Sequence, residues 1–162
     1  MDILKYRDGL VGQPGLVYCG RPKTQTWSCG QLLIGLGNPF SWKQTKLAKF
    51  KVRNLEESLS GYRHWLFKLL SAYKEQCLDR LAPWERDYLE KMLELARAIN
   101  RGKVYGLVCW CIDVKNYVPL KTEKKHCHTQ FLYAACLWLV EEGLVSEKDL
   151  NNSTTPDLAN LW

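Results

Sequence analysis

Four side chains with soft ligand atoms crowd two short stretches: Cys109 and Cys111 in "GLVCWCID", 106–113, then Cys127 and His128 in "HCHTQF", 126–131. Thiolate and imidazole are the ligands zinc prefers, and three cysteines with one histidine would complete a tetrahedral site. The spacing alone does not name that chemistry, because recognised zinc modules use C-x2-C knuckles and a C-x-C on a flat strand spreads its sulfurs. A second chemistry is open to the same residues. A helix N-terminus lowers a thiol pKa, so Cys127 or Cys111 could be a nucleophile, with His126, His128 or Asp113 carrying the proton. The third reading makes Cys109 and Cys111 small core residues, which is the default for Cys19, Cys29, Cys77 and Cys136.

The elements that must position these residues follow from periodicity. "GLVYCG" (15–20) is a β-rich run closed by Gly20 and followed by Arg21, and "KVYGLVCWC" (103–111) is an apolar run suited to a buried strand. In a strand, Cys109 and Cys111 point to one face and Trp110 to the other. Leu55, Leu59, Tyr62, Leu66, Leu69 and Tyr73 recur at helical spacing behind an Asn54–Glu57 capping signal. Pro83 opens a second helix with Trp84, Tyr88, Met92, Leu95 and Ile99 on one face and Gly102 as its stop, and a third runs from about Thr129 to Glu142. Residues 31–35 read as a short strand or extended segment. Ser41 with Gln44 three positions on predicts a short helix from Trp42 to Phe50. The polar "NNSTTPDLANLW" tail makes 146–162 a loosely packed end or a docking segment anchored by Trp162.

Strands alternating with helices in 162 residues, 46% of them hydrophobic, predict one α/β domain: a small, mainly parallel sheet flanked by helices in a Rossmann-like three-layer arrangement. Ligands of such sheets bind beyond the carboxyl ends of the strands. There the sequence places Arg21, the Gly37-Asn38-Pro39-Phe40 turn leading to Trp42, and the Cys111/Cys127-His128 group beside Trp110. Arg21 and a helix start after Ser41 would hold phosphate, and Trp42 or Trp110 would stack on a base. The net charge of +6 favours such anionic partners.

No apolar run approaches the roughly 20 residues of a membrane span, so no membrane partner is expected. "MDILKYRDGL" lacks the pattern of a signal peptide. Seven cysteines without an export signal point to a reducing compartment, the cytoplasm. The basic "KQTKLAKFKVR" (43–53), with Trp42 and Phe50 interleaved, could grip a nucleic-acid backbone, although a solvated lysine face is the simpler reading of a short surface helix.

Taken in order, "VYCGRP", "GLGNPF", "GYRHWL", "GLVCWC" and "HCHTQFL" resemble the motifs of the DUF4326 domain, a small uncharacterised family of bacterial, archaeal and phage proteins. The resemblance covers most of 15–140 and implies that Arg21, Asn38, Pro39, Phe40, Cys109, Trp110, Cys111, Cys127 and His128 matter. It brings no reaction. A phage origin would imply host cytoplasm and a role in host takeover or in countering nucleotide-signalled defence. Two functions follow as expectations: binding, with or without turnover, of a nucleotide or nucleotide-derived small molecule; or a non-enzymatic zinc-stabilised module that binds protein or nucleic acid.

Overall fold

The computed structural model describes residues 2–6, 10, 13–21, 35–110 and 127–145. Its sheet is built from three parallel strands, β1 (Asp2–Lys5), β2 (Leu16–Tyr18) and β5 (Gly106–Cys109), with β5 in the centre. Ile3 and Val17 both stand opposite Leu107, and Leu4 and Tyr18 both stand opposite Val108. The ladders run one step beyond the strands: Tyr6 N–H donates to the Cys109 carbonyl and Cys19 N–H to the Val108 carbonyl. Two-residue strands β3 (Phe40–Ser41) and β4 (Phe50–Lys51) form a separate parallel pair.

Three helices cover one face of the sheet. In α1 (Leu55–Lys74) the Asn54 side chain accepts from Glu57 N–H, and Tyr62, Trp65, Leu66 and Leu69 turn inward. In α2 (Pro83–Asn100), Pro83 takes the first-turn position where its missing N–H costs nothing, and Gly102 ends the helix with a positive φ. The third helix, α3 (His128–Glu141), packs against both others and buries His128, Thr129, Gln130, Leu132, Ala135, Cys136 and Leu139. Helical residues form one core with Val17, Cys19, Leu36 and Leu107. The other sheet face carries Leu16, Tyr18 and Val108, packed against Leu4, Tyr6 and Leu10. The architecture is therefore the expected single α/β domain with a small parallel sheet. Among the described residues its helical layer lies on one side.

Alternation along β5 puts Leu107 and Cys109 on the helical face and Val108 on the other. Cys109 thus meets the start of α3, where it clusters with Ile3 and Cys127.

One sequence expectation needs correction. No helix spans Trp42 to Phe50. Ser41 Oγ accepts from Lys43 N–H and donates to the Lys43 carbonyl, closing a local turn that competes with a helix start, and the Pro39 carbonyl takes both Lys49 and Phe50 N–H. Asp2–Lys5, which has no period-2 alternation, is a strand because β5 supplies its ladder. The third helix begins where expected, at His128, with Cys127 as its N-cap. The expected segment at 31–34 and the tail at 146–162 lie outside the described residues.

Candidate metal centre and the neighbouring clasp

Cys127 precedes the first turn of α3 in an extended conformation, and its N–H donates to Gln130 Oε1 at 3.0 Å. Gln130 N–H in turn donates to the Cys127 carbonyl. This fixes the entry to the helix and holds the Cys127 side chain against the carboxyl end of β5. His128 is the first helical residue. Its Nε2 lies 2.7 Å from the Cys19 carbonyl oxygen, which can only accept, so Nε2 carries the hydrogen. The Nδ1 lone pair then faces Cys109 Sγ at 3.7 Å and Cys127 Sγ at 3.9 Å.

These distances can be set against a metal's demands. Zinc bonds of about 2.3 Å to sulfur and about 2.0 Å to nitrogen at the tetrahedral angle separate sulfur from nitrogen by about 3.5 Å. The three ligand atoms here lie within 4.8 Å of one another. The donation from Nε2 to a backbone carbonyl is the outer contact that orients metal-binding histidines and selects the ligating nitrogen. Cys109, Cys127 and His128 are at most 2% exposed. That burial suits a closed structural site and disfavours a nucleophile, which must be reached by its substrate.

The surroundings are buried. Tyr62 meets the His128 ring edge-on with centroids 5.3 Å apart, and Thr129 Oγ1 lies 3.0 Å from Cys127 Sγ. Burial, followed by the nearby Cys136 and Cys127 thiols, pushes the Cys19 thiol well up. Burial also raises Cys136, and Tyr62 is raised by burial and by its contact with Tyr88. Cys19 and Cys136 therefore stay protonated, as core residues.

Arg21, Asn38, Pro39 and Phe40 gather elsewhere on the same edge and point at one another. Arg21 Nη1 donates to the Asn38 carbonyl at 3.1 Å and the Phe40 carbonyl at 3.4 Å, and Nη2 donates to Ser41 Oγ at 3.2 Å. Asn38 Oδ1 accepts from Phe40 N–H, while its amide nitrogen donates to the Ser58 carbonyl and Oγ. A Cβ on Gly37 would sit 2.8 Å from the Arg21 backbone nitrogen, so glycine there permits the two chain segments to touch. The "CGR" and "GNPF" motifs therefore form one clasp between the end of β2, β3 and α1. Its polar groups serve the loop itself, unlike the phosphate holder the sequence predicted.

The two tryptophans part company. Trp110 lies on the sheet face opposite Cys109, stacked on Tyr6 at 3.9 Å with its indole N–H donating to Tyr18 Oη. Trp42 stands exposed beyond the clasp. Cys111, Asp113 and His126 lie outside the described residues. The sequence reading missed the Cys19 carbonyl, the Tyr62 edge and Gln130. Of these only Gln130 had a signal, its capping-box spacing from Cys127.

No known protein family, curated protein or solved structure matches this chain. No described helix is long and apolar enough to cross a membrane.

Proposed function

We propose that this protein is a zinc-binding α/β module in which Cys109, Cys127 and His128 hold the ion, with Cys111 expected from its sequence position as the fourth ligand. The observation that carries the reading is the fixed tautomer of His128. Its Nε2–H is engaged by the Cys19 carbonyl, and its Nδ1 is turned to two sulfurs at near-ligand spacing. The ion would tie the end of β5 to the start of α3. Its role is structural in this reading, since all three ligands are buried.

The nucleotide reading draws less support. It relied on Arg21 and on a helix start after Ser41 to hold phosphate, but Arg21 bonds loop carbonyls and the chain after Ser41 is not helical. Elemental analysis of the purified, tag-free protein tests the proposal. Near-stoichiometric zinc that is lost in both Cys127→Ser and Cys111→Ser is the expected result. Metal-free protein that folds normally in zinc-supplemented medium would overturn it and return the cluster to a core role.

A further inference from the structure

The chain has no acidic residue between Asp8 and Glu56, and within that span Lys43, Lys46, Lys49, Lys51 and Arg53 follow one another closely. A solvated lysine face on a short helix was the simpler expectation for this stretch, but the helix is absent. Residues 42–49 instead form an irregular loop whose two ends are pinned by the β3–β4 pair and by Arg21 from below. The four lysines are at least partly exposed and none forms an ion pair among the described residues, whereas Arg53 is held by Glu57.

Aromatic rings are interleaved with these charges and are also presented to solvent. Trp42 is 45% exposed and Phe50 is 42% exposed. Phe50 is backed by the Phe40 ring at 4.8 Å and has Trp84 beside it at 6.1 Å, yet keeps a large part of its ring open to solvent. Trp84, under the Lys49 ammonium, and Leu47 border a cleft of about 200 Å³ alongside. An exposed tryptophan and a half-exposed phenylalanine, beside lysines that make no ion pair among the described residues, add little to the core.

We infer that the 42–51 loop is a binding surface for single-stranded nucleic acid, with Lys43, Lys46, Lys49 and Lys51 following the phosphates and Trp42 and Phe50 stacking on bases. Charge complementarity selects an anionic polymer. The exposed rings select unpaired bases over a duplex, whose bases are already stacked. This surface is separate from the Cys109–Cys127–His128 cluster and does not depend on it.

Fluorescence anisotropy with a labelled oligouridylate of roughly 20 nucleotides, titrated with the full-length protein, tests the assignment. Four phosphate contacts on a single strand give a log–log salt slope of about −3, so affinity falls about fifty-fold between about 50 and about 200 mM salt. Lys46→Ala and Lys51→Ala should each reduce the slope by about 0.7. Trp42→Ala should weaken binding about tenfold, with Trp42→Tyr restoring most of it. These exposed positions should leave zinc content and Tm unchanged, which separates failure here from failure of the metal proposal. Absence of binding at low salt overturns the inference, as does affinity indifferent to the loop variants. Equal affinity for a duplex with no effect of Trp42→Ala, or tighter binding to phosphatidylserine vesicles than to the oligonucleotide, also overturns it.

Discussion

The clasp of Arg21 with Asn38–Ser41 and the cluster of Cys109, Cys127 and His128 flank the same carboxyl edge of the sheet, and both draw on residue types that bind ligands. They differ in where their lone pairs and N–H groups point. In the clasp, donors meet acceptors within the fold, so Arg21 closes on carbonyls and Asn38 on Ser58 and Phe40. In the cluster, two sulfurs and an imidazole nitrogen converge on one another, and the ring's remaining N–H is already engaged. A motif rich in Arg, Asn and Gly can thus be complete without any ligand. Two sulfurs and an imidazole nitrogen brought together in this way form a group that could hold a cation.

The largest effect should come from breaking the cluster. His128→Ala or Cys127→Ser should abolish zinc binding, and chelation of the wild type should lower Tm by about 10 °C or more, read by calorimetry with metal analysis in parallel. The clasp should respond differently. Asn38→Ala removes the acceptor of the Phe40 N–H and the amide bonds to Ser58, and should cost about 2 kcal/mol in urea unfolding while zinc content stays at the wild-type level. A smaller loss, about 1 kcal/mol, is expected for Arg21→Lys, because an ammonium cannot reproduce the fork that spans Asn38, Phe40 and Ser41. Loss of zinc in either clasp variant would erase the distinction between the two regions.

The smallest effect is acid-dependent and belongs to neither region. Burial alone would raise the Glu85 carboxyl, but the Lys68 ammonium, the Ala82 N–H and the Trp65 indole N–H outweigh it and hold the carboxyl below its ordinary 4.5. A depressed folded pKa gives stability that is fully present above the unfolded value. That stability is lost as pH falls through the folded one. Tm should therefore hold from neutrality down toward 4.5 and then drop, with Glu85→Gln showing a shallower fall over that acid range.

The helices were legible because their signals are local. Leu55 to Tyr73 repeat at helical spacing, Asn54 caps, and Pro83 and Gly102 bracket α2. The β1 strand was not, since Asp2–Lys5 becomes a strand only through a partner far along the chain. The false helix at 42–50 arose because a Ser41–Gln44 pair reads the same whether Ser41 caps a helix or closes a turn on Lys43. At the candidate site, ligand type exposed Cys109, Cys127 and His128, while the Cys19 carbonyl that orients the imidazole is a backbone atom and leaves no trace in composition. Arg21 lies at the expected edge, but its partners were not legible. Sequence records a guanidinium's presence but not the carbonyls a folded loop will offer it.

Placing β5 between β1 and β2 has a consequence for how the chain is made. Both outer strands wait for a partner roughly a hundred residues downstream, a contact order that slows folding. Until Gly106–Cys109 leaves the ribosome, Ile3, Leu4, Leu16 and Tyr18 have no ladder to join, while α1 and α2 can form from local signals alone. The sheet therefore cannot close until β5 has emerged, whereas the helices draw on signals already present in the earlier chain.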